Sequence, residues 1–260
     1  FASIALLLVM LSQKKLGVLA QYKPADYLKL SAIGFVGIFL SYLFFFESIK
    51  SLPAQETMLL FYTFPIPTAI LGILLLKERL TPKSCLAILI AFAGTVFAIT
   101  KGEPFAMQLT SAAGIIFGFG AALAHSAFSI LDKKYEYDKL AATFIYFLST
   151  LAFSFVAMLA FSALPQLTPT QLLALIFIGA VVGGLGYVFF LLAMRYASTS
   201  AVSNIMLLTP VLSLALINIL AGEQILPSSV IGLALILAGI FMQSSGRNGL
   251  PEMNAENTGK

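Results

Sequence analysis

Nine apolar segments separated by short polar loops leave this 260-residue chain few ways to fold: 1–11, 30–49, 57–76, 84–100, 111–131, 140–161, 171–194, 200–221 and 227–243. Most are 17 to 24 residues long, and a helix needs about 20 apolar residues to cross a hydrocarbon core of about 30 Å. Their hydrophobicity is continuous rather than alternating, so they read as spanning helices and not as strands of a barrel. The expected fold is all-α, a polytopic membrane helix bundle. The first segment is too short to span and starts at Phe1 without a Met or a basic leader. The expectation is therefore an N-terminally truncated chain, with a first helix and part of a second missing.

Only 10% of the residues are charged, against roughly 25% in an ordinary soluble domain. The net charge of +4 comes without a basic stripe interleaved with aromatics, so no nucleic-acid partner is expected. Cys85 is the single cysteine and His125 the single histidine. No Cys/His spacing suits a metal, and neither a metal nor another cofactor is expected. No Walker A sequence is present, so ATP does not drive this chain.

The stretch Tyr42–Gly94 returns without a gap 145 residues later. Tyr42, Phe44 and Phe45 fall on Tyr187, Phe189 and Phe190, and Lys50 on Arg195. Pro65 falls on Pro210, Glu78 on Glu223, Pro82 on Pro227 and Gly94 on Gly239. Upstream, Pro24 falls on Pro169 and Gly34 on Gly179. The segment holding Pro210 is the fifth one after that holding Pro65, and five is odd. Corresponding helices therefore cross in opposite directions, which makes the halves inverted repeats, an architecture that supports alternating access.

Loop charge sets the orientation. Thirteen of the fifteen Lys and Arg residues fall in loops on one side or in the tail, and only Lys50 and Lys101 on the other. By the positive-inside rule the basic side and the C-terminus are cytoplasmic, in an inner or plasma membrane. The tail after Ser244 is polar, without apolar periodicity, and reads as disordered.

Leu76–Ser84 reads Leu-Lys-Glu-Arg-Leu-Thr-Pro-Lys-Ser, and Ala221–Ser229 reads Ala-Gly-Glu-Gln-Ile-Leu-Pro-Ser-Ser. Each follows a proline-containing helix and precedes an apolar helix that ends in Ala-Gly, at Ala93-Gly94 and Ala238-Gly239. In this the chain resembles the drug/metabolite transporter superfamily, with its EamA-type repeat, over nearly the whole length. The resemblance implies ten helices, five per repeat, a central cavity and cytoplasmic termini, so that about nine of ten helices are present here. It divides the chain into a truncated first repeat at 1–102, a second repeat at 110–244 and the tail at 245–260. The first repeat departs from the pattern in having Lys77 where Gly commonly precedes the Glu, as Gly222 does in the second.

The candidate substrate-binding residues are Tyr42, Tyr62, His125, Tyr187 and Asn204. Tyr42 and Tyr187 are repeat mates, while Tyr62 and Asn204 flank the proline-bearing segments, where missing N–H groups open backbone carbonyls to a cavity. Aromatic faces there can hold an amino-acid side chain or a quaternary ammonium. His125 has two readings: a neutral imidazole hydrogen-bonded between helices, or a substrate contact and proton relay. Glu47 also has two: an i, i+3 pair with Lys50 at the interface, or a protonatable site at the cavity mouth. Coupling, if present, falls to Glu47 and His125. Glu78 and Glu223 are expected to accept hydrogen bonds at the start of the following helix.

The function that best fits is a carrier of a small metabolite, such as an amino acid, a nucleotide-derived compound or an organic cation. Its partners are that solute, the lipid bilayer and, if transport is coupled, protons; facilitated transport is the other option. The chain is not expected to be an enzyme, since it lacks a Gly-x-Ser-x-Gly motif and facing intramembrane carboxylates. A membrane-embedded enzyme and a structural scaffold remain the alternatives, and the sequence leaves the oligomeric state open.

Overall fold

A computed structural model describes residues 1–107, 109–162, 166–221 and 226–244. The tail, Gly222 and Glu223 lie outside them. Among the described residues all regular structure is helical: α1 Ala2–Ser12, α2 Leu16–Ala20, α3 Pro24–Ser51, α4 Ala54–Phe61, α5 Pro65–Leu76, α6 Pro82–Ile99, α7 Ala112–Lys134, α8 Lys139–Phe161, α9 Pro169–Tyr196, α10 Thr199–Met206, α11 Thr209–Ala221 and α12 Pro227–Ser244. A 3₁₀ turn lies at Pro104–Ala106.

Local chemistry sets the helix starts. α3, α5, α6 and α9 each place a proline in their first turn, where its missing N–H costs nothing. Thr81 caps α6 through the Ser84 N–H, and Asp138 caps α8 through those of Leu140 and Ala141. At the end of α5, Lys77 takes the left-handed conformation, with φ of 56°. The family's usual glycine would adopt it freely; lysine adopts it under strain.

The repeat is written into the helix boundaries. Shifting α3, α4 and α6 by 145 residues gives the bounds of α9, α10 and α12. Two irregularities repeat as well. α3 and α9 each contain a π-helical segment, Phe35–Leu40 and Ile178–Gly186. The Pro65 helix is interrupted at Tyr62–Phe64, where Pro65 cannot continue the ladder and the Phe64 N–H turns back to the Phe61 carbonyl at 3.0 Å. Its mate breaks at Leu207–Leu208.

Among the described residues, six helical stretches are long and apolar enough to cross a membrane: α3, Glu56–Leu76, α6, α7, α8 and α9. The remaining apolar segments form shorter helices. At the extremes burial opposes hydropathy: the most apolar 18-residue window, on α9, is 11% buried, whereas the least apolar, on α7, is 56% buried. A chain folding in water would bury its most apolar helix; this one turns it outward, as lipid permits. Ser48, Thr57, Thr68, Ser126 and Thr143 lie fully inside instead.

Contacts divide the chain into two units, Phe1–Glu78 with Gln108–Val202, and Arg79–Met107 with Ser203–Lys260. Each draws helices from both repeats. In the first, Phe128, Ile38, Tyr146 and Leu191 form a core shared by α7, α3, α8 and α9. Small residues let these helices close: a β-carbon on Gly34 would stand 2.8 Å from the Tyr146 backbone, and one on its mate Gly179 would stand 2.8 Å from the Phe1 side chain. In the second unit, α6 and α12 pack backbone to backbone. Gly94 meets Gly232 and Ala87 meets Gly239. Positions rise along one helix as they fall along the other, so these two repeat mates run antiparallel. The inversion inferred from parity is thus visible in a direct contact.

Candidate functional site

The π segments end at Leu40, two residues before Tyr42, and at Gly186, immediately before Tyr187. The extra residue of a π turn shifts the side chains that follow it around the helix. The two tyrosines lie near each other, and Tyr42 also joins the surrounding rings through Phe46, Phe45 and Phe61. A residue beside its own repeat mate lies near the axis relating the repeats, so the two tyrosines stand close to that axis.

From that pair the rings continue inward. Tyr187 packs edge-on against Phe147 at 5.2 Å and lies 6.4 Å from Phe190. Phe190 stacks on His125 at 5.6 Å, and Phe64 and Phe61 close the imidazole at 5.1 and 5.5 Å. Tyr62 adjoins both phenylalanines, at 6.0 and 6.4 Å. Tyr42, Tyr62, His125 and Tyr187 therefore belong to one aromatic chain. Asn204 is buried and belongs to the second unit.

His125 is 6% exposed, and among the described residues its Nε2 has no hydrogen-bond partner. The reading of a histidine hydrogen-bonded between helices does not hold at this nitrogen, because rings fill its surroundings. Its neighbour takes the polar role: Thr68 donates to the Ser126 hydroxyl at 3.0 Å, and Ser126 lies 2.9 Å from the Phe64 carbonyl. That carbonyl sits at the proline-induced break, so Ser126 ties α7 to the interrupted helix. In the second unit Thr95 reaches the Leu207 carbonyl at the mate break, at 3.4 Å.

Glu47 and Lys50 form their i, i+3 ion pair, with Lys50 two-thirds exposed. Glu78 differs from expectation. Thr81 caps α6, while the Glu78 carboxylate accepts from Lys133 at 2.8 Å and from Thr199 at 2.6 Å. Lys133 also donates to the Ala197 carbonyl. This cluster joins the end of α5, from the first repeat, to the end of α7 and the start of α10, from the second. Gly72 makes room for it, since a β-carbon there would stand 2.9 Å from the Thr199 hydroxyl oxygen.

Sequence reasoning also missed a buried ion pair between Asp132 and Lys139, whose side chains are 1% and 4% exposed. Tyr146 donates to the second carboxylate oxygen at 2.9 Å, and Lys139 also reaches the Asp132 carbonyl at 3.0 Å. The triad is fully paired, as burial demands. The available signal was an acid and a base flanking one short interhelical turn.

A model of the EamA-like transporter family matches residues 1–100 and 112–245. Among similar proteins, an uncharacterized transporter, YxxF of Bacillus subtilis strain 168, is 25% identical over 241 residues, covering 92% of this chain and 76% of that protein. The uncharacterized inner membrane transporter YhbE of Escherichia coli K12 is 25% identical over 256 residues, 94% and 79% of the two chains. A solved crystal structure with 20% sequence identity superposes with a TM-score of 0.83, covering 98% of this chain and 86% of that one. That likeness speaks for the fold.

Proposed function

Because the chain belongs to the EamA-like transporter family and is a multi-pass membrane transporter, we propose that it carries a small organic solute by alternating access, binding it along the aromatic chain between Tyr42 and Tyr62. The observation that carries this reading is the continuous aromatic chain that runs from the repeat mates Tyr42 and Tyr187, which lie near each other, to the ring-enclosed His125. A group on the axis between inverted repeats keeps equivalent surroundings when the repeats exchange conformations, which is what a fixed site in a rocking carrier requires.

The site's chemistry narrows the solute. Aromatic faces from Phe61, Phe64 and Phe190 attract an apolar or cationic body, and the tyrosine hydroxyls and the imidazole supply hydrogen bonds. An amino acid, a nucleotide-derived compound or an organic cation fits this description, and the cation uses the rings most fully. Asn204 is a proposed solute contact of the second unit. Glu47 and His125 are the coupling candidates, with proton exchange and facilitated transport as the two modes.

The membrane in question is the cytoplasmic one, and the basic loops and the C-terminus lie on its cytoplasmic side. The Glu78, Lys133 and Thr199 cluster then ties helix ends of both repeats at the cytoplasmic face, as a closed gate on that side would. The test is a thermal-shift screen of purified protein against a metabolite library, since a ligand at 100 times its Kd adds about 2.7 kcal/mol. Hits are then assayed for flux in proteoliposomes. Saturable uptake that Tyr187→Ala abolishes is expected; flux that does not saturate, or that survives the substitution, sinks the proposal.

A further inference from the structure

A cavity of about 350 Å³ opens in the first unit among α1, α8 and the C-terminal half of α9, and none of the rings of the aromatic chain lines it. One end is lined by Lys15, Asp138, Lys139 and Arg195. Two of the cations are matched: Lys15 pairs with Asp138 at 2.9 Å, and Lys139 is held by the buried Asp132. Arg195 has no carboxylate partner within ion-pair distance among the described residues; its guanidinium lies 5.9 Å from the Tyr196 ring. One positive charge is left over, on the side chain whose planar fork best suits a phosphate.

The rest of the wall is apolar. Leu185, Val188, Phe189 and Leu192 run up α9 from Arg195, and Phe189 is 69% exposed. A water-soluble anion would use the basic end and leave this stripe bare. A phospholipid uses both, and basic pockets between helices at the cytoplasmic face are suited to anionic headgroups. Burial would raise the Asp138 carboxyl, but the Ala141 N–H and the Lys15 ammonium outweigh it and hold the group below the usual carboxylate range. Asp138 therefore stays charged at neutral pH and opposes an incoming anion.

We propose that this cavity binds the phosphate of an anionic phospholipid headgroup through Arg195 and Lys15, with an acyl chain along the Leu185 to Leu192 face of α9. The test uses delipidated protein in a neutral detergent, titrated with phosphatidylglycerol, with phosphatidylcholine of the same chains and with glycerol 3-phosphate. Binding is read by native mass spectrometry and by the unfolding temperature. Phosphatidylglycerol is expected to bind more tightly than the other two. Arg195→Gln should weaken it about tenfold, the loss expected for a charge-assisted hydrogen bond. Asp138→Asn should tighten it, a gain that misfolding cannot imitate, and Lys83→Gln, outside the cavity, should leave it unchanged. Equal binding of phosphatidylcholine, equal protection by glycerol 3-phosphate, or an affinity that neither Arg195→Gln nor Asp138→Asn alters would overturn the assignment.

Discussion

Gly94 and Gly232 touch through their backbones: a β-carbon added to either would stand 2.6 or 2.7 Å from the other's carbonyl oxygen. Such a contact has no side chain that can swing aside. Gly232→Val is predicted to force α6 and α12 apart and to lower stability by about 1–3 kcal/mol, the range for overpacking a tight contact. Thermal unfolding in detergent measures it. Gly17→Ala is the comparison, because nothing lies within 4 Å of an added β-carbon there. That variant should match or slightly exceed the parent.

The Glu78 cluster calls for a different design. With side chains 23% and 19% exposed, Glu78 and Lys133 are only partly screened, and Thr199 shares the carboxylate. Glu78→Gln and Lys133→Gln should each slow transport, and the double variant should lose less than the two single losses combined, because the partners act on each other. Additive losses in a double-mutant cycle would show that the two side chains act separately.

Much of this arrangement was legible in the sequence. The 145-residue offset foretold paired helix bounds and mated tyrosines, because each rests on residue types that recur in register, whereas 57–76 and 200–221 read as unbroken spans and the paired breaks before Pro65 and Pro210 emerged only in the fold. The π segments were not legible. A π turn changes hydrogen-bond register without changing composition, so Phe35–Leu40 looks like any apolar helix. Nor were the partners of His125, which come from α4, the break before α5, and α9. Phe45 and Phe190 were recognised as mates, yet only the fold sets Phe190 on the imidazole and Phe45 on Phe61. Glu78 misled for a local reason: Thr81 stands nearer the α6 start and takes the capping role.

The Asp132 and Lys139 pair allows a test of burial. Removing one charge strands the other inside the protein, at a cost of about 3–5 kcal/mol, whereas replacing both with neutral residues of similar size is often near neutral. Asp132→Asn and Lys139→Met should each lower the unfolding temperature sharply, and the double variant should recover much of the loss. If the single variants unfold like the parent, the pair is hydrated in the working protein.

The coupling assignment rests on the only histidine and on one partly buried acid. His125 is caged by three phenylalanines, so His125→Ala removes ring contacts as well as a titratable group, and His125→Phe restores the contacts alone. Under proton exchange, His125→Phe should weaken solute binding by one hydrogen bond yet leave it detectable by thermal shift, and should lose the flux driven by a pH gradient. Under facilitated transport the parent itself shows no such flux, and the variant should keep saturable flux down the solute gradient. Glu47→Ala frees Lys50 from its pair and should reduce gradient-driven flux only if Glu47 carries the proton. Undiminished pH-gradient-driven flux in both His125→Ala and Glu47→Ala would remove these two residues from any coupling role, leaving a gradient-driven carrier to find its proton site elsewhere.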